Sequence, residues 1–134
     1  MPAWQPNWSD VRFDHMLAEA AVDELRRCAF LLDRQTERRA ALARTAQQQW
    51  RGRARERFDD ELARMIRQGA DLVHALRRAA AAIERAADDA RVEQRRREDD
   101  RTRWWDEKRA EDERRAEAVL PTPGPSRPQR VRMV

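Results

Sequence analysis

The amino-acid sequence predicts an all-α chain folded as a long antiparallel helical hairpin with a Trp-x-Gly turn. Three observations lead there. Arginine supplies 28 of the 29 basic residues, alanine supplies 23 residues, and tyrosine is absent. Arg, Ala, Glu and Gln favour helix, and β-branched residues are scarce. No proline occurs between Pro6 and Pro121, and within that span apolar residues recur at steps of three and four with one break, at Trp50-Arg51-Gly52.

Residues 1–8 hold Pro2, Trp4, Pro6 and Trp8 and are expected to form an irregular arm. Ser9 is the expected N-cap, its hydroxyl accepting from an unpaired amide of the first turn. Trp8 and Phe13 would then close a hydrophobic staple, and Asp10 and Asp14 would suit the positive end of the helix dipole. The first helix is expected from about Asp10 to Gln49, a rod of roughly 60 Å. Its expected apolar face carries Phe13, Leu17, Ala21, Leu25, Cys28, Leu32, Leu42 and Ala46, and thins between Gln35 and Arg39.

Gly52 is the first glycine of the chain. A glycine after a long periodic segment marks a helix stop, because it reaches positive φ without a steric penalty. Periodicity resumes at Ala54 and runs through Phe58, Leu62, Met65, Gly69, Leu72, Leu76, Ala79, Ile83, Ala86 and Ala90. The second helix therefore covers at least Arg53 to Ala90, and two rods of matched length with a tight joint make a hairpin over residues 9–90. Gly69 costs ~1 kcal/mol against alanine inside a helix. Its place within the Met65–Leu72 stripe predicts close helix approach, and Ala79–Ala82 predicts thin packing.

Residues 91–118 are a charged extension. Glu93–Arg97, Arg95–Asp99, Arg96–Asp100 and Asp99–Arg103 stand four apart with opposite charge, each worth ~0.2–0.5 kcal/mol of helicity. The segment either continues the second helix as an exposed rod or frays, since the first helix ends opposite Ala90 and leaves it no partner within the chain. Trp104 and Trp105 interrupt the polar run. They serve either as a contact for another protein or as cover for a neighbouring helix. Residues 119–134 carry Pro121, Pro123, Pro125 and Pro128 and are expected to be a disordered, Pro/Arg-rich tail.

Charge narrows the function classes. The net charge is +4, yet Arg127, Arg130 and Arg132 of the tail supply three of those charges. Elsewhere the signs are mixed, as on a solvated helix surface, whereas a nucleic-acid footprint is a one-sign face. The alanine-rich stripe and mixed polar face argue against membrane binding. Cys28 is the one cysteine, so no intramolecular disulfide and no cysteine-rich metal site is expected. His15 and His74 stand far apart outside any metal-binding pattern. Adjacent acids such as Asp59-Asp60 and Asp88-Asp89 point about 100° apart on a helix and face no common substrate. The expectation is a protein without enzymatic activity, cofactor or metal. Met1 to Asp10 has no basic stretch followed by an apolar one, so a Sec-type leader is not expected.

The segment Trp50-Arg51-Gly52-x-Ala54-x-x-x-Phe58 resembles the small WXG100 proteins of ESX-type, type VII secretion systems, over approximately Val11 to Ala90. Those proteins are antiparallel helical hairpins with a Trp-x-Gly joint. Physically, Trp50 would place a large ring at the end of the first helix, Gly52 would permit reversal, Ala54 would leave room and Phe58 would supply an apolar partner. Trp50→Ala should cost ~3–5 kcal/mol if that ring is buried in the folded assembly.

The resemblance implies pairing with a second hairpin, as homodimer or heterodimer, into a four-helix bundle. It also implies export in the folded state by a non-Sec type VII-like route, a secretion ATPase as a possible partner, and a role as secreted substrate or partner chaperone. The expected interface is drawn from Leu17, Leu25, Cys28, Leu32, Leu62, Gly69, Leu76 and Ile83, with Trp104 and Trp105 as further partner or export contacts. The family's Tyr-x-x-x-Asp/Glu export signal has no counterpart, because the chain lacks tyrosine and Lys108 and Arg109 stand four residues after the tryptophans. Either a partner supplies the signal, or it has degenerated, or the chain is not itself exported. The alternative function is an intracellular, cytoplasmic coiled-coil adaptor or scaffold.

Overall fold

A computed structural model of the chain describes residues 1–119 and 124. The expected tail, apart from Val119 and Gly124, lies outside the described residues. Two long helices, α1 (His15–Gln47) and α2 (Arg53–Val119), account for the regular structure, and no strand occurs among the described residues. The contacts divide into two compact units: Val11–Gln94, and Met1–Asp10 with the chain from Arg95 onward.

In the first of these units the start of α1 corrects the expected N-cap. Asp14, not Ser9, caps the helix: its carboxylate accepts from the Leu17 amide at 3.0 Å and its carbonyl from the Ala18 amide at 3.0 Å. Asp14 satisfies a first-turn donor with a charged acceptor at the positive helix end, which a serine hydroxyl does less well. With Asp14 as the cap, Trp8 and Phe13 no longer occupy the N′ and N4 places that a staple needs. Phe13 packs on His15, with ring centroids 4.7 Å apart.

Helix α1 ends at Gln47, two residues before the expected stop, with the amides of Gln49 and Trp50 donating to the carbonyls of Ala46 and Gln47. Gly52 follows at φ +90°, and its carbonyl accepts from the Arg55 and Glu56 amides that open α2. That φ lies in the left-handed region open to glycine. Past the joint the helices pair antiparallel, since contacts step outward in opposite directions: Gln47 with Asp59, Thr36 with Gly69, Arg26 with Glu84 at 2.8 Å, and Val11 with Gln94 at 2.8 Å.

The seam between them is thin. Its buried residues are Val22, Ala29 and Ala43 from α1 and Val73, Ala80, Ala87 and Ala90 from α2, with Ala80 fully enclosed. Small side chains let the two backbones approach closely. A Cβ added to Gly69 would lie 2.8 Å from Thr36 Oγ1, so close approach is a fact of this packing. The register of α1 differs from the expected single face. Ala18, Val22, Leu25, Ala29, Leu32, Thr36, Ala40 and Ala43 turn inward, whereas Leu17, Cys28 and Leu42 are exposed. Alanines outnumber leucines in the seam because a helix pair this close has no room for γ-branched side chains at every turn.

In the second unit α2 continues past Ala90, one of the two expected courses, but the expectation that this stretch has no partner within the chain is corrected, because Met1–Asp10 packs along it within the unit. Surface pairs such as Arg103 with Asp100 at 3.4 Å add their few tenths of a kcal/mol to helicity.

Candidate functional site

Of the expected turn residues Trp50 and Gly52 lie between the helices, while Ala54 and Phe58 lie in the first turns of α2, and their cover is unequal. Trp50 is half exposed and meets Phe58 edge to face, with centroids 5.3 Å apart and planes at 83°. Ala54 is exposed and Phe58 is half-buried. The Arg55 guanidinium donates to the Trp50 carbonyl at 3.3 Å and pairs with Asp59 at 3.7 Å, tying the joint to the first turns of α2.

Of the expected interface residues, Leu25, Leu32, Leu62, Gly69, Leu76 and Ile83 are half-buried along the facing sides of the two helices, while Leu17 and Cys28 are exposed. Two open grooves flank the seam. One is lined by Leu42, Ala43 and Ala46 of α1 and Phe58, Leu62 and Met65 of α2, with Arg39 and Glu61 on its edges. It is an apolar trough with one charge of each sign. The other lies at the far end of the hairpin, where Ala18, Val22, Ile83 and Ala87 form the floor and Glu19, Asp23, Asp88, Arg26 and Arg91 form the walls. His15 lines it too, and its Nδ1 is enclosed with no hydrogen-bond partner. Arg26 and Glu84 are already paired across it. Among the described residues no group of three or more His, Cys, Asp or Glu side chains could hold a metal ion.

The two expected tryptophan contacts part company. Trp104 is 5% exposed and Trp105 is 48% exposed. Trp8 of the arm meets both, with centroids at 5.3 Å and 6.2 Å, and the two also meet each other at 4.9 Å. Trp104 Nε1 donates to the Trp4 carbonyl at 3.1 Å, and Trp4 Nε1 donates to Glu107 Oε2 at 2.7 Å. Arg101 takes three arm acceptors: the Asn7 carbonyl at 3.0 Å, the Ser9 carbonyl at 2.7 Å and the Asp10 carboxylate at 2.8 Å. The N-terminal ammonium is hydrogen-bonded to Glu111. That bond holds the Glu111 carboxyl below the usual carboxylate range; desolvation works against it, and the charges of the ammonium, Arg115 and Arg114 add to it.

Sequence reasoning missed Arg97, Arg101, Glu107 and Glu111 as arm contacts. A signal was there: the three-four spacing of Ile83, Ala87 and Ala90 continues through Gln94, Arg97, Arg101, Trp104 and Lys108. It was hidden because these positions are mostly charged. Compared with known proteins, the chain matches no family model, no curated protein and no solved structure. The functional reading therefore rests on the residues themselves.

Proposed function

We propose that the chain is a non-enzymatic helical hairpin that acts by pairing with a second hairpin, as homodimer or heterodimer, in a type VII, ESX-like secretion process. Its role there is secreted substrate or partner chaperone. The supporting observation is the placement of the larger apolar side chains outside the seam. Leu17, Leu31 and Leu42 are 66%, 54% and 65% exposed. Leu17 and Cys28, and Leu31 and Leu42, are eleven residues apart, close to three full turns, so all four share one side of α1. On α2, Glu61 of the apolar trough and the exposed Leu72 have the same eleven-residue separation. Covering one leucine contributes ~1.5–3 kcal/mol, and micromolar association needs about 8 kcal/mol net of its entropic cost. Four leucines and a trough are of that order.

The secretion link is supported by Trp50-Arg51-Gly52 standing between two long helices, with Gly52 at φ +90°. The second reading, an intracellular adaptor, draws its support from the missing tyrosine. Two measurements test the proposal. Sedimentation of the chain, alone and with hairpins encoded near it, should show an associated species that Leu42→Asp disperses with helix content retained. A monomer in every mixture defeats the pairing. Export assayed in cells with and without the type VII machinery should depend on that machinery, and retention in both favours the adaptor.

A further inference from the structure

We infer that the face of α2 from Arg97 to Glu107 is a binding site for an extended, tryptophan-bearing peptide segment, and that the arm Met1–Asp10 is its resident occupant. The site lies in a different compact unit from the hairpin, and its case does not depend on hairpin pairing.

The surface that holds the arm is a helix. Its own amides and carbonyls are used internally, so it can hold an extended segment only through side chains. Here three donor side chains, four and then three residues apart, all reach main-chain carbonyls of the arm. Arg97 donates to Ser9 at 3.1 Å, Arg101 to Asn7 at 3.0 Å and to Ser9 at 2.7 Å, and Trp104 to Trp4 at 3.1 Å. Carbonyls are common to every peptide, so these bonds recognise an extended backbone whatever its sequence. Main-chain bonds of this kind supply affinity and side-chain pockets supply selectivity.

Two side chains of the arm are read. Trp4 lies under the Arg103 guanidinium, 4.5 Å from its ring centroid, and its indole N–H reaches Glu107. Trp8 abuts Trp104 and Trp105. Pro2 and Pro6 are buried; having no amide hydrogen, they are enclosed without stranding a donor, and they keep the arm from turning helical. The ligand class follows: an extended segment with two tryptophans four residues apart and a proline between them. Arg101, Arg103 and Trp8 keep part of their surface in water, and a second segment of the same kind would cover Trp104 as the arm does.

The test is fluorescence polarisation with a labelled decapeptide of the arm sequence. The receptor is the full chain with Trp4→Ala and Trp8→Ala, whose own arm is weakened. Saturable binding is expected, and binding to the unsubstituted chain should be about tenfold weaker or worse, because a tethered arm competes at an effective concentration of millimolar order. Arg101→Ala in the receptor should abolish it, as should replacing both tryptophans of the peptide. Failure to bind a receptor of unchanged helix content overturns the inference. So does equal binding to both receptors, or indifference to Arg101→Ala. A second reading needs no altered fold: excess unlabelled decapeptide should raise hydrogen exchange of the Trp4 indole N–H, which the docked arm bonds to Glu107, at least twofold in the unsubstituted chain. Unchanged exchange overturns the inference.

Discussion

Replacing Gly69 by alanine sets two effects of opposite sign against each other. Alanine gains ~1 kcal/mol over glycine inside a helix. The added methyl, however, would stand 2.8 Å from Thr36 Oγ1 and 3.4 Å from Thr36 Cγ2. Threonine is branched at Cβ and stiff about χ1, and this one's hydroxyl donates to the Leu32 carbonyl at 2.9 Å. It can yield only by losing that bond or by pushing the helices apart. Overpacking of this kind costs ~1–3 kcal/mol. The net expectation is a loss of about 1 kcal/mol, or about 4–8 °C in Tm for a domain of this size. In a Thr36→Ala background the obstruction is gone and the same Gly69→Ala change should stabilise by ~0.5–1 kcal/mol. Urea unfolding of the four chains, followed by circular dichroism at the helix band, yields the coupling directly. The reasoning fails if Gly69→Ala stabilises the unaltered chain, as it would at an open helical position.

Three further outcomes are expected. Gly52→Ala should cost ~1–2 kcal/mol from backbone strain alone, since Gly52 sits at φ +90° with no atom within 4 Å of the added Cβ; an unchanged urea midpoint would show that the joint does not hold that conformation. Trp50→Ala should cost the separate chain about 1 kcal/mol, because the half-exposed ring has mainly its edge contact with Phe58 to lose; a loss of 3 kcal/mol or more would place the ring in a buried setting. Glu111 has a lowered pKa, so its bond to the N-terminal ammonium contributes above the ordinary carboxylate pKa and fades as pH falls through the lowered value. Its carboxyl resonance should titrate below the usual glutamate range and return there when the N-terminus is acetylated. Indifference to acetylation would refute that cause.

The helices were legible because composition and the absence of proline decide them almost alone. The break at Gly52 was legible because glycine after a periodic run has few other uses. The face of α1 was harder. Leucine, cysteine and alanine occur on two adjacent sides of it, and periodicity weights a leucine above an alanine. The close approach at Gly69 reverses that weight: Ala29 and Ala43 fit between the backbones, and Leu17 and Leu42 do not. The start of α1 was misread because Ser9 and Asp14 are both able caps. The choice turns on the arm, which spends the Ser9 carbonyl on Arg97 and Arg101. The arm was hard to read as a partner of α2, because four of its bonds go to main-chain carbonyls, which leave no trace in a side-chain pattern, and the positions of α2 that face it are mostly charged.

The seam's composition bears on why pairing is the reading to test first. Every buried residue of the hairpin unit is alanine or valine. An enclosed methyl contributes about 0.8 kcal/mol per carbon, while ordering each residue costs more than that. The fully enclosed residues therefore add little margin, the half-buried Leu25, Leu32, Leu62, Leu76 and Ile83 of the seam add more, and the helicity leans as well on intrinsic propensity. The leucines that could enlarge the margin stand outside, on the side of α1 that borders the apolar trough. Moving them inward would force the backbones apart at Gly69 and Ala80. The close packing that makes the hairpin thin is thus the same feature that leaves Leu17, Leu31 and Leu42 exposed on α1, and the proposed pairing stands or falls on whether that face is covered in solution.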